Sequence, residues 1–161
     1  AAGFNVAGAN YPVVADIKKH VYGKNKGNME DKTRVGSVYY NRGVVHGIIT
    51  VEAIRKAQEK YGKGKALTGE QIRWGFENLN LDDARLKALG ATGFMPALKI
   101  TCADHEGPGK VKFQQWDGSQ WKVITDWVDS DRPLVRGMIE ESAAAYAKEK
   151  GIKPRDCSKE S

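Results

Sequence analysis

The hydrophobic period of this chain changes at Gly93, and no other feature limits its architecture as much. Before that point apolar residues return every three or four positions, the spacing of one helix face. After it they alternate, as in a strand whose two sides meet different surroundings. The pattern predicts helices first, then a β-hairpin, then one closing helix. Neither an internal repeat nor a low-complexity linker divides the 161 residues, a length suited to one domain. The expected fold class is α/β, helix-rich with a late β-hairpin, forming a single compact unit over residues 1–161.

Local signals place the elements. The opening, Ala1 to Val6, reads as a strand entered in mid-fold, so a longer natural protein is expected. Tyr11-Pro12 begins a helix with Val13, Val14, Ile17 and Val21 on one side, and residues 22–32, rich in Gly, Asn and Lys, read as an exposed loop. A long helix follows from about Ser37 to Tyr61, with Tyr40, Val44, Ile48, Val51 and Ile54 as its apolar stripe. Thr68 with Gln71 three residues later is a capping-box pattern for the next helix. Asp82-Asp83 caps a short helix that stops at Gly90. Residues 94–103 contain one strand-like stretch, and Asp117-Gly118 between two alternating runs predicts the hairpin. Ser130 to Pro133 starts the last helix, with Val135, Met138, Ile139, Ser142 and Tyr146 on one face. The polar tail, residues 153–161, is expected to be loose.

Composition narrows the function. Hydrophobic residues make up 40% of the chain and charged residues 29%, and no apolar run approaches a membrane span. The formal net charge of +6 raises nucleic acid as a partner. The lysines lie scattered in loops and at helix ends with acids between them, which suits a solvated surface better than a phosphate track. No nucleic-acid partner is expected.

Residues with catalytic potential all have plainer roles. His20, His46 and His105 lie on three different elements. Cys102, Asp104 and His105 are too close along one strand-like stretch to face one another as a triad. Asp82 and Asp83 are explained by helix capping. Gly62-Lys63-Gly64-Lys65 lacks the spacing and the Ser or Thr of a phosphate loop. Trp116, Trp121 and Trp127 cluster at the hairpin, where cross-strand packing is the ordinary explanation. Cys102 and Cys157 match no metal spacing. In an oxidising compartment such cysteines pair, and a Cys102–Cys157 disulfide tying the tail to the body is expected. With no catalytic constellation, no metal site and no cofactor motif, a binding protein is expected and an enzyme is not.

Several strings resemble a known family in the order in which they occur. They are Phe4-Asn5-Val6-Ala7-Gly8-Ala9-Asn10-Tyr11-Pro12, then Tyr39-Tyr40-Asn41-Arg42-Gly43-Val44-Val45, running to Glu52-Ala53-Ile54-Arg55-Lys56-Ala57. Thr68-Gly69-Glu70 and Lys110 to Gly118 follow. Over roughly residues 4–128 the chain resembles the C-terminal portion of a type I periplasmic solute-binding protein of the leucine/isoleucine/valine kind. The resemblance implies part of a Rossmann-like, two-lobe periplasmic-binding-protein type I fold, whose N-terminal lobe region is absent here. It implies a periplasmic substrate-binding component of an ABC importer for branched-chain amino acids or related small amides and aromatic acids, captured by lobe closure. The partners would be that ligand and an ABC permease in the inner membrane. Tyr39, Tyr40, Asn10 and Tyr11 are the candidate ligand-binding residues, each with helix packing as its rival role. Unpaired sheet edges left by a missing lobe would favour self-association of the fragment. The alternatives are a ligand-sensing receptor domain of the same architecture and a basic nucleic-acid-binding domain.

Overall fold

The computed structural model describes residues 2–3 and 6–159. Ala1, Phe4 and Asn5 of the expected opening strand lie outside the described residues, as do Glu160 and Ser161 of the tail.

Helix α1, Pro12–His20, begins on a proline that has no N–H to leave unpaired. The N–H of Val13 is satisfied by Gly90 O at 3.0 Å, which pins the helix start to a later turn. The supposed loop after it contains two short 3₁₀ turns, Tyr22–Lys24 and Lys32–Arg34. Tyr22 and Met29 from this stretch pack against the core.

Helix α2, Val38–Tyr61, is capped by Ser37, whose hydroxyl accepts from Tyr40 N–H, and ends at Gly62 with φ +120°. Tyr40, Val44 and Ile48 of the expected stripe pack against the core, but the fully buried positions lie beside it. Asn41, Val45, Glu52, Ala53 and Ala57 are buried, while Val51 is 56% exposed. The cause is the close approach of α3, Gly69–Glu77. A Cβ at Gly75 would stand 2.2 Å from Ala53 O and 3.0 Å from the Ala57 side chain. Small residues admit the neighbouring helix, so the contact face is set by Ala and Gly and not by the largest apolar side chains. Helix α3 carries the capping box between Thr68 and Gln71.

A two-residue strand, β2 (Asn80–Leu81), pairs antiparallel with β3 (Leu98–Lys99), bringing Leu81 opposite Leu98. Helix α4, Asp83–Ala88, lies between them, capped by Asp82. It ends in a Schellman turn: Ala91 N–H donates to Leu86 O, Gly90 N–H donates to Lys87 O, and Gly90 sits at φ +66°. Only Leu98 and Lys99 of the expected strand region 94–103 are in this ladder. Phe94, Met95 and Pro96 are buried in the turn before it. The core gathers here, with Val14, Val45, Leu79, Leu81, Leu86, Phe94, Met95 and Leu98 in one cluster.

The later half forms a second sheet around β4, Lys110–Trp116. It pairs with β1 (Ala2–Gly3), with β5 (Trp121–Val123) through the expected hairpin, and with β6 (Val128–Asp129). Between β5 and β6 the register slips. Ile124 N–H donates to Phe113 O, and Thr125 Oγ1 accepts from Phe113 N–H, each at 3.0 Å. Helix α5, Arg132–Lys150, begins at the Asp131 cap and closes on Gly151 in a left-handed conformation. Among the described residues, no buried hydrophobic side chain lies after Leu98. No described helix is long and apolar enough to cross a membrane.

Candidate functional site

Two loops meet at the N-terminal end of α2. Gly8 N–H donates to Gly36 O at 2.8 Å. Gly36, at φ +95°, lies so near Ala9 that a Cβ there would be 2.8 Å from the Ala9 Cβ. The junction is held from below by Asn41, which is fully buried. Its amide nitrogen donates to Val6 O at 2.6 Å, to Gly8 O at 3.0 Å and to Gly36 O at 3.3 Å. One side chain thus fixes both loops to the helix between them. The amide was not among the expected site residues. A polar residue four positions before Val45 on an otherwise apolar face is the signal that finds it.

The four expected ligand-binding residues divide into two pairs. Tyr11 is the N-terminal cap residue of α1, and its ring packs edge-on against Phe94 with centroids 5.2 Å apart. Burial pushes its hydroxyl pKa up. Tyr40 packs against the core, and its hydroxyl accepts from Tyr22 OH at 3.3 Å. Burial first, then the Tyr22 hydroxyl, pushes the Tyr40 pKa up. Both rings serve packing, and both hydroxyls stay protonated at neutral pH. Asn10 and Tyr39 are exposed, Tyr39 by 78%, on the two segments that Asn41 fastens together. Both side chains are thus open to solvent on segments that share one buried anchor.

A separate polar cluster surrounds residues 101–107. Cys102 and Cys157 are joined in a disulfide with Cα atoms 5.6 Å apart. Beside it Arg155 donates twice to Glu77, at 2.7 and 2.6 Å, and His105 Nε2 lies 3.2 Å from the same carboxylate. The Arg155 hydrogen bonds hold the Glu77 carboxyl below its usual range despite burial. The tail is therefore anchored at two points, in contrast to the loose segment its polarity suggested. Arg132 reaches Asp104 and Gly107 O. Arg136 reaches Glu106 and Ala103 O, both at 2.6 Å. Burial raises the Asp104 carboxyl, but the Glu106 N–H and the two arginines outweigh it and leave it lowered. Cys102, Asp104 and His105 each have a structural partner here.

An apolar groove of about 260 Å³ runs between α2 and residues 95–110, floored by Val45, Ile49, Met95, Leu98 and Ile100. Neither Asn10 nor Tyr39 lines it. Among the described residues, no three His, Cys, Asp or Glu side chains cluster so as to hold a metal ion.

No family model and no curated protein sequence matches the chain. Two solved structures do. One is described as an ABC transporter permease from the Pseudomonas fluorescens group; it is 47% identical, with a TM-score of 0.92, over 98% of this chain. The other is a branched-chain amino acid ABC transporter from Thermus thermophilus with bound valine, 22% identical, with a TM-score of 0.61, over 84% of this chain. Both neighbours are ABC transporter components. This chain spans 38% of the first and 35% of the second. The second likeness is one of fold, and it fits the mixed helix-and-sheet architecture described above.

Proposed function

We propose that the chain is part of the substrate-binding component of an ABC importer, taking branched-chain amino acids or related small amides and aromatic acids. The observation that carries this reading is the exposure of Asn10 and Tyr39, taken as one rim, on a loop and a helix start that one buried amide ties together. The likeness to ABC transporter components supports the transport role, and the valine bound by the Thermus thermophilus protein sets the ligand class to test first. In this reading Asn10 and Tyr39 form one wall of a cleft, and a second lobe closes on the ligand by a hinge motion with no covalent step. The protein is periplasmic, is not an enzyme, and passes its ligand to a permease in the inner membrane.

A thermal-shift screen of this chain and of the Pseudomonas fluorescens group protein, against leucine, isoleucine, valine and small aromatic acids, tests the reading. A ligand at a hundred times its Kd stabilises by about 2.7 kcal/mol. A blank across the panel with both proteins rejects the ligand class. A hit whose affinity is unchanged by substituting alanine for Tyr39, or for its aligned residue, removes the rim from the site.

A further inference from the structure

The excess positive charge is not spread over the molecule. Residues 1–65 carry twelve Lys and Arg against five Asp and Glu, whereas residues 66–161 carry fourteen against fifteen. The excess is densest at Lys18, Lys19, Lys24 and Lys26, in a stretch from Ile17 to Met29 that contains no acid. The fold draws these lysines into one knob. Lys18 and Lys19 stand on the last turn of α1. The chain then turns back, so that the N–H groups of Lys24 and Lys26 both donate to Val21 O, at 3.2 and 2.9 Å. Asn25, left-handed at φ +54°, makes the reversal. All four lysines are exposed, and among the described residues none of their ammonium groups has an ion-pair partner. The C-terminal end of α1 favours cations at Lys18 and Lys19, but Lys24 and Lys26 lie beyond it and gain little from the helix dipole.

Four like charges gathered on one turn repel one another unless an outside anion neutralises them. What the knob lacks decides which anion suits it. No large apolar side chain between Ile17 and Val38 is exposed. A protein partner needs buried aromatic or arginine anchors, and such interfaces are depleted in lysine. The surface of an anionic bilayer asks only for positive charge held close to it. We propose that the knob of residues 18–26 is an electrostatic contact with an anionic phospholipid surface. The charge and its clustering are properties of this chain. The choice of a lipid surface rests on the transport reading, which puts the chain beside a membrane, and on the likeness to ABC transporter components.

Co-sedimentation with vesicles of phosphatidylcholine alone, and of phosphatidylcholine mixed with phosphatidylglycerol, tests it. The protein should sediment with the mixed vesicles at low salt, stay in solution with the neutral ones, and be released as added salt screens the contact. Lys24→Gln combined with Lys26→Gln should weaken the partition about 25-fold, at roughly fivefold per lysine, with no change in Tm. Lys148→Gln combined with Lys153→Gln removes the same charge elsewhere and should weaken it far less. Equal losses from the two pairs would assign the binding to net charge and overturn the proposal. Equal sedimentation with neutral vesicles, or none with anionic ones, overturns it too. Tighter binding to polyglutamate or to a DNA duplex than to the mixed vesicles overturns the assignment to lipid. A blank ligand screen alters none of these readouts, so a failure of the transport reading and a failure of this contact are told apart.

Discussion

Asn41 and Glu77 show how single buried polar groups organise this molecule. Replacing Asn41 with Leu keeps the bulk but strands the carbonyls of Val6 and Gly8, at a cost of about 3 kcal/mol in urea unfolding. Asn41→Asp should cost more, because a carboxylate would face the same carbonyl oxygens. The Glu77 carboxyl is depressed in the folded state by Arg155, so the unfolded chain binds the proton more readily. Its contribution is present above the ordinary glutamate range and is lost as pH falls through the lower folded value. Arg155→Ala should therefore destabilise the protein at pH 7, and the gap from the parent should narrow below about pH 4. A constant gap from pH 7 to pH 3 would assign the residue a purely steric role. Of the expected site residues, Asn10 and Tyr39 are exposed while Tyr11 and Tyr40 pack inward. Neighbours on a helix turn see different surroundings, and only the partner element decides which of Tyr39 and Tyr40 is covered.

Among the elements, the sharpest dependence is the crossing of α2 and α3. Gly75→Ala forces a methyl group against the Ala53 carbonyl oxygen, 2.2 Å away, and should cost about 3 kcal/mol or separate the helices. Gly69→Ala, at an open position, should change stability little, and a comparable loss there would discount the contact argument. Helix ends were legible because caps are local chemistry: Ser37, Thr68, Asp82 and Asp131 each cap the helix that follows. The hairpin was legible for the same reason, since Asp117 accepts from the N–H groups of Ser119 and Gln120 within its own turn. The buried side of α2 was not legible, because it depends on a glycine more than twenty residues further on. The strands β2 and β6 were missed because two residues carry no alternation to detect. The stripe on α5 was visible as a period, but period alone says nothing about whether a partner is there to cover it.

At the scale of the molecule, the described core residues run up to Leu98, and the later half adds no buried apolar side chain to them. The Cys102–Cys157 bond closes a loop of 55 residues that takes in nearly all of that later half. Chain entropy assigns such a loop roughly 4 kcal/mol, so reduction should lower the unfolding free energy by about that much. Two free thiols in the unreduced protein, or an unchanged midpoint after reduction, would refute this. The same bond changes what a protease can achieve. The exposed turn at residues 117–120 and all of α5 lie inside the closed loop. A cut in either leaves two peptides still joined, which migrate as one species until a reductant is added. Damage to these exposed segments is thus recorded without being released.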